Sequence, residues 1–243
     1  MRGWWRDFAD LVLPADCGGC GRPRMALCAS CRTALCGAAP RRVRPVPEPP
    51  GLPLVHAAAR YEDAVRAVLL AHKERGALGL AEALGAALAG AVRAGLQGGG
   101  PDGPLVLVPV PSARRAVAAR GHDPTRRIAL AAARELRRTG LPARILPVLR
   151  QRRPVADQSG LSARQRLVNL TGALEVVAGG GRLLAGRRVV LVDDLMTTGA
   201  SLSEGARALR ATGLEELRGP GGMSRTKAAV VAASPDSFEI NRN

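Results

Sequence analysis

The sequence predicts a mixed α/β fold with a mostly parallel central sheet, preceded by a small cysteine-rich module. Apolar β-branched runs alternate with helical periodicities from residue 54 onward, a pattern typical of parallel sheets that bind ligands at their carboxyl edge. All five cysteines precede this part, between Cys17 and Cys36. We therefore predict an N-terminal helix over 1–14, the cysteine-rich module over 15–40, a linker over 41–53 and the α/β domain over 54–243.

The elements of the α/β domain follow from periodicity and turn residues. Asp123 and Pro124 supply an N-cap and a first-turn proline for a helix that ends near Arg138. An apolar run over 105–110 is a buried strand by its β-branched content. Further helices are predicted over 62–72, 80–96 and 200–211, and further strands over 144–149, 172–177, 187–193 and 227–233.

Composition leaves nucleic-acid binding open. The formal net charge is +16, which is typical of chains that bind nucleic acids. Lys73 and Lys227 are the only lysines, however, and such an Arg-, Ala- and Gly-rich composition also arises from GC-rich codon usage. Aromatic residues are only 2%, which leaves few platforms for stacking unpaired bases.

The first residues predict a short helix, because Trp4, Phe8 and Leu11 fall on one helical face and Pro14 ends the turn. This helix either packs on a neighbour or lies on a membrane surface. We see no targeting segment, and no apolar stretch approaches the roughly 20 residues that span a bilayer. The expectation is a cytoplasmic chain without a transmembrane segment.

The cysteines predict a structural zinc site. Cys17, Cys20, Cys28 and Cys31 form two C-x2-C pairs separated by seven residues, and four thiolates satisfy tetrahedral Zn²⁺. A segment this short cannot fold on its hydrophobic content alone. Cys36 is left over, and it is an alternative candidate for one of the four ligands. The three histidines have no ligand spacing and are expected to be ordinary surface or core residues.

Two acids after a buried strand predict a sugar-phosphate site. Four apolar residues precede Asp193 and Asp194, and a small, hydroxyl-rich loop then leads into a helix. Helix N-termini favour anions such as phosphate, whereas two adjacent carboxylates suit the hydroxyls of a vicinal diol. A ribose 5-phosphate satisfies both halves. The candidate binding residues are Asp193, Asp194, Met196, Thr197, Thr198, Gly199, Ala200 and Ser201.

This segment resembles the motif of type I phosphoribosyltransferases that binds phosphoribosyl diphosphate (PRPP). The resemblance implies the fold of that class, with Asp193 and Asp194 as catalytic acids on the ribose 2- and 3-hydroxyls and the loop on the 5-phosphate. It also implies Mg²⁺ as a cofactor that bridges the pyrophosphate of PRPP. One residue departs from the pattern of purine-salvage members, because Thr197 stands where they carry an aspartate general base.

Two arginine-rich segments match further parts of the same class. The resemblance places pyrophosphate near the loop after the strand over 105–110, and it places a flexible lid over the polar stretch 152–169. Arginine suits both tasks, because it is permanently charged and forms bidentate bonds. The candidates for the pyrophosphate and lid contacts are Arg114, Arg115, Arg120, Gln158, Arg164 and Arg166.

Together these segments resemble the ComF/GntX-type family of competence-associated, phosphoribosyltransferase-like proteins. The matching pieces are Pro109 to Pro111, Arg120-Gly121, Gln158, Leu161, Arg164 to Asn169 and the PRPP motif, with a lysine near Lys73 and a cysteine-rich amino terminus. Departures occur at 122–124, where the family has Phe-Asn-Gln, and at Val155, where a threonine is common.

The sequence thus predicts a PRPP-binding, phosphoribosyltransferase-like protein that transfers phosphoribosyl to an acceptor and is linked to DNA uptake. An alternative stays open: a non-catalytic sensor of PRPP or a nucleotide, which binds single-stranded DNA through its zinc ribbon and basic surface.

Overall fold

The computed structural model of the chain describes residues 16–97, 103–155, 160, 162–213 and 226–239. The helix predicted over 1–14 lies outside these residues, and so do Gln158 and Leu161. The helices and strands are α1 (Ala29–Cys36), β1 (Arg41–Val43), β2 (Leu54–Arg60), α2 (Asp63–Glu74), α3 (Ala81–Leu96), β3 (Leu105–Pro109), α4 (Arg114–Arg120), α5 (Pro124–Arg138), β4 (Ala143–Ile145), β5 (Leu149–Gln151), α6 (Ala163–Leu170), β6 (Leu174–Val176), α7 (Gly180–Leu184), β7 (Arg188–Met196), α8 (Ala200–Arg210) and β8 (Lys227–Ala233).

Six strands form the main sheet in the order β1-β2-β8-β7-β3-β4. All neighbouring strands are parallel except β1, which pairs antiparallel with β2 at one edge. β7 is central, since Val190 pairs with Leu107 of β3 and with Lys227 of β8. The mostly parallel α/β fold predicted from sequence is therefore confirmed, and the carboxyl ends of β3, β7 and β8 meet at one edge.

Helices cover both faces of the sheet, and this explains why its central strands are apolar almost throughout. On one face α2, α3 and α5 enclose a core that includes Leu88, Ile128 and Leu136. On the other face α8 packs its Leu202 and Leu209 with Leu191 of β7. The helix predicted from Asp123 to Arg138 is confirmed, with the Asp123 side chain accepting from the Arg126 amide at its N-cap.

The alanine-rich segment Leu78–Leu96 is long and apolar enough to cross a bilayer by length and composition alone. Of its most apolar window, 61% is buried inside the protein. A Cβ added at Gly85 of α3 would lie 2.4 Å from the Ala131 Cβ of α5. The segment is therefore packed as a core helix.

The strand predicted over 144–149 was wrong in extent. β4 ends at Ile145, and Leu149 begins β5, which pairs with β6 in a separate two-stranded sheet. The Leu146 amide still donates to the Leu107 carbonyl of β3, but Pro147 has no N–H to continue the ladder. The chain leaves the main sheet at this proline.

Two other predicted boundaries change in the structure. The stretch predicted as a linker over 41–53 begins with β1, whose Val43 is buried and pairs with Val55. The strand predicted to end at Asp193 continues to Met196, because Asp193 pairs with Val230 and Met196 with Ala233. The acids consequently lie within the sheet edge, where β8 fixes their backbone.

Candidate phosphate and acid site

Asp193 and Asp194 are buried near the carboxyl end of β7, with 9% and 4% of their surface exposed. Two helices provide their partners. Lys73 of α2 places its Nζ 2.9 Å from Asp194 Oδ2, and Thr125 of α5 donates its hydroxyl to Asp193 Oδ1 over 3.4 Å. The Asp194 amide also donates to Asp193 Oδ1, at 2.8 Å. Three separate elements therefore hold the acid pair.

The two acids of the pair have more negative charge than the neighbouring lysine can neutralise. Burial, and then the negative charge of Asp194, raise the pKa of Asp193 well above its usual range. Asp194 in turn raises the pKa of Lys73, so the Lys73 ammonium stays protonated at neutral pH. One cation thus faces two buried carboxylates. Hydroxyl donors or a divalent cation would stabilise the second negative charge.

A loop over Thr197 to Ser201, here called the phosphate loop, joins β7 to α8. Gly199 is the N-cap of α8 and has a φ of 74°, a left-handed conformation that favours glycine. A Cβ at this position would also lie 3.0 Å from Leu52 Cδ1. The residues Thr197, Thr198 and Ser201 are partly exposed, and they lie beside the N-terminus of the helix, whose first N–H groups have no partner within the helix.

The remaining candidates of this motif have structural positions that limit their roles. Met196 is buried in the core with α8 and is 1% exposed, so only its backbone is available to a ligand. Ala200 is buried in the first turn of α8. The loop is tied to the end of β8, because the Ser234 amide donates to the Met196 carbonyl over 3.0 Å.

Arg166 joins the second predicted segment to this loop. Its Nη1 donates to Thr197 Oγ1 at 3.0 Å. Residues 163–170 of the predicted lid form helix α6, which has a capping box between Ser162 and Gln165 and packs against α8. Arg164 is exposed on the same helix. Of these two arginines, Arg166 is the one that contacts the phosphate loop.

The arginines after β3 lie on the short helix α4. Arg114 and Arg115 are exposed, and the Arg114 guanidinium donates to the Gln151 carbonyl over 3.4 Å. The charge of Arg120 lowers the pKa of Lys73, although Asp194 raises it more, and the Arg120 Nε is 3.7 Å from Glu74 Oε2. The Arg120 Nη1 is buried and has no hydrogen-bond partner among the described residues.

Lys73 contacts the acid pair from outside the predicted site. The sequence singled out Lys73 as a family-like lysine but did not assign it to the site, and its contact with Asp194 spans 121 positions. The sequence signal for this role was that lysine is rare in a chain whose cations are almost all arginines. His72, expected to be an ordinary surface or core residue, is a core residue with its ring centroid 5.9 Å from that of His122.

The cysteines form a compact donor cluster. The Sγ atoms of Cys17, Cys20, Cys28 and Cys31 all lie within 4.8 Å of one another, and Cys20 Sγ is 3.7 Å from Cys28 Sγ. Zn–S bonds of about 2.3 Å give a tetrahedral S–S edge of about 3.8 Å, so the arrangement fits zinc. Burial raises the pKa of Cys17, but backbone donors including the Cys28 amide outweigh it and lower this pKa to about 6.

Cys36 is not part of this cluster, so the alternative that it replaces a ligand was wrong. Its Sγ instead lies 3.8 Å from the Ala83 carbonyl of α3. The cluster itself packs on α2: a Cβ at Gly18 would lie 3.3 Å from the Ala71 Cβ, and one at Gly19 would lie 3.3 Å from Val68 Cγ2. The cysteine module therefore contacts the helix that carries Lys73.

Comparisons with known proteins find similarity in the part of the chain that contains the acid pair. Residues 128–237 match the family model described as the phosphoribosyl transferase domain, a range that contains the acid pair, the phosphate loop and α6. Residues 128–237 are therefore similar to phosphoribosyl transferase domains, and a four-cysteine cluster consistent with a zinc ribbon lies on their amino-terminal side.

A particular relative is competence protein F of Haemophilus influenzae, which is 43% identical over 61 residues. That match spans 25% of this chain and 26% of the relative, about a quarter of each. The predicted resemblance to competence-associated, phosphoribosyltransferase-like proteins is thereby confirmed.

Proposed function

We propose that this chain binds PRPP at the carboxyl edge of β7 and transfers its phosphoribosyl group to an acceptor. The observation that carries the proposal is the buried pair Asp193 and Asp194 beside an accessible hydroxyl-rich loop at the N-terminus of α8. The acids suit the two ribose hydroxyls, and the loop suits the 5-phosphate. Gln158 belongs to the proposed lid but lies outside the described residues.

The chemistry follows from these positions. An acceptor lone pair attacks C1 of the ribose while the bond from C1 to the pyrophosphate oxygen breaks, and pyrophosphate leaves with the electron pair. The arginines Arg114, Arg115 and Arg120 lie on the α4 side, where they would neutralise that leaving group. Mg²⁺, when bound with the substrate, supplies charge neutralisation on the pyrophosphate. Asp193 and Asp194 are the carboxylates that would position the ribose hydroxyls or the metal shell.

Residue 197 does not serve as a general base that removes a proton from the acceptor. Purine-salvage relatives carry an aspartate base there, whereas Thr197 in this chain accepts a hydrogen bond from Arg166. We therefore expect turnover only with acceptors that attack without a general base at this position. Zinc in the four-cysteine cluster has a structural task, and a cytoplasmic location suits the five free cysteines.

A second candidate is a non-catalytic PRPP or nucleotide sensor that also binds single-stranded DNA. The observation that favours it is a basic surface on and beside the cysteine module, with exposed arginines at Arg22, Arg24, Arg32, Arg41 and Arg42. The name of the relative, a competence protein, agrees with such a partner.

Pyrophosphate release separates the two candidates. With PRPP and Mg²⁺, we expect the chain to release pyrophosphate with at least one member of a panel of purine, pyrimidine and amine acceptors. No release with any acceptor, together with DNA affinity that falls steeply with salt, would establish the sensor instead. An Arg22→Gln/Arg24→Gln variant is the matched control, because it removes charge from the cysteine module and leaves the acid site unchanged.

A further inference from the structure

Arg166 connects helix α6 to the first residue of the phosphate loop. Its Nη1 donates to Thr197 Oγ1 at 3.0 Å. The helix that carries it is fixed in three ways: by the capping box at Ser162, by packing against α8, and by Arg153, whose Nη2 donates to the Asn169 and Thr171 carbonyls at 2.9 Å each. Arg166 is therefore preorganised beside the loop.

The Arg166 guanidinium has N–H donors and a positive charge that remain available to a ligand. Its Nε is buried and has no hydrogen-bond partner among the described residues. No carboxylate in the described part of the chain forms an ion pair with it. A partly buried cation without a counter-charge is costly, and an anion bound at the loop would supply that charge.

The contact also orients Thr197. Its hydroxyl oxygen accepts a hydrogen bond from Arg166, so its own O–H is free to donate in another direction. Donation to this oxygen polarises the hydroxyl and strengthens the bond that it donates. Arg166 and Thr197 together present a cationic group and an oriented donor beside the N–H groups of α8.

We infer that Arg166 binds the 5-phosphate of the ligand and makes this group the feature by which the site selects sugar phosphates. The inference rests on the proposed function and changes the role expected for this arginine, which the sequence assigned to pyrophosphate or the lid. Arg166 is then a specificity residue, and its partner is a terminal phosphate monoester on a pentose.

Binding of two ligand fragments tests this role. Ribose 5-phosphate contains the 5-phosphate but no pyrophosphate. Inorganic pyrophosphate with Mg²⁺ represents the leaving group but has no 5-phosphate. Calorimetry with an Arg166→Gln variant is expected to show about 10- to 100-fold weaker binding of ribose 5-phosphate, the loss typical of a charge-assisted hydrogen bond. Pyrophosphate affinity is expected to stay within about twofold.

Two variants guard against indirect effects. Arg134→Gln removes an equal charge at an exposed surface pair with Glu82, and it should leave both fragments unaffected. A Thr197→Val change should weaken ribose 5-phosphate binding less in the Arg166→Gln background than in the wild type, because the two residues act as a unit. Thermal unfolding of each variant verifies that it is folded.

Four outcomes are decisive. If Arg166→Gln weakens pyrophosphate and spares ribose 5-phosphate, Arg166 is a pyrophosphate ligand and the inference is wrong. If wild type binds PRPP but not ribose 5-phosphate, the inference is wrong and the proposed function stands. The same conclusion follows if wild type and Arg166→Gln bind ribose 5-phosphate equally. If wild type does not bind PRPP, the proposed function itself fails.

Discussion

A Cys28→Ser variant is expected to lose its zinc, with the metal content falling from about one ion per chain to near zero. Cys28 is 2% exposed and lies 3.7 Å from the Cys20 sulfur. It also forms the N-cap of α1, where its Sγ accepts from the Cys31 amide. Because serine is a good N-cap, this substitution retains the cap and isolates the loss of the metal ligand.

Loss of zinc should unfold the cysteine module, because structural zinc supplies most of the folding free energy of such modules. Metal analysis and thermal unfolding with and without a chelator measure both effects. Cys36→Ser is the matched control, since Cys36 lies outside the cluster and contacts Ala83. Undiminished zinc in Cys28→Ser, or equal zinc loss in Cys36→Ser, would contradict the assignment.

A Lys73→Met variant is expected to be less stable than wild type by about 2 kcal/mol, because it leaves Asp194 buried without its cation. The loss is smaller than for a fully buried ion pair, since the Lys73 side chain is 34% exposed. The midpoint of thermal unfolding should fall by roughly 4–8 °C. Asp194→Asn in the same chain should restore much of the loss, and an unchanged midpoint in Lys73→Met would show that the pair contributes nothing.

An Asp193→Asn substitution should raise the free energy of unfolding, whereas Lys73→Met should lower it. Burial and Asp194 raise the pKa of Asp193 above the ordinary 3.8, so above that pH the folded chain binds more protons than the unfolded chain. Stability contributed by this group therefore falls as the pH rises from about 4. The asparagine variant should be more stable than wild type near neutral pH, with a flatter pH dependence in urea unfolding. A loss of stability like that of Lys73→Met would refute the raised pKa.

Local features of the fold were predictable from sequence. The N-cap at Asp123, the buried run 105–110 and the strand that leads into Asp193 depend on neighbouring residues, and the structure confirms them. The end of β4 at Ile145 depends on Pro147, whose missing N–H cannot continue the ladder. Helix α6 was missed because its polar, Arg-rich sequence has a weak apolar face that packs only when α8 is present.

Long-range contacts explain what sequence could not supply at the site. The acid pair and the loop are contiguous, so their residue types indicated a ribose and a phosphate directly. Lys73 and Thr125 reach these acids from positions 121 and 68 residues away, and nothing local to either residue specifies that contact. The bond from Arg166 to Thr197 crosses 31 residues, and it depends on how α6 packs against α8.

The most direct measurement is a calorimetric titration of PRPP with Mg²⁺ into wild type and into an Asp193→Asn/Asp194→Asn variant. The account predicts saturable binding to wild type and at least about 100-fold weaker binding to the variant, because two acceptors for the ribose hydroxyls and the metal shell are lost. Thermal unfolding must show that the variant is folded. Equal affinity of the two proteins for PRPP would contradict the central claim.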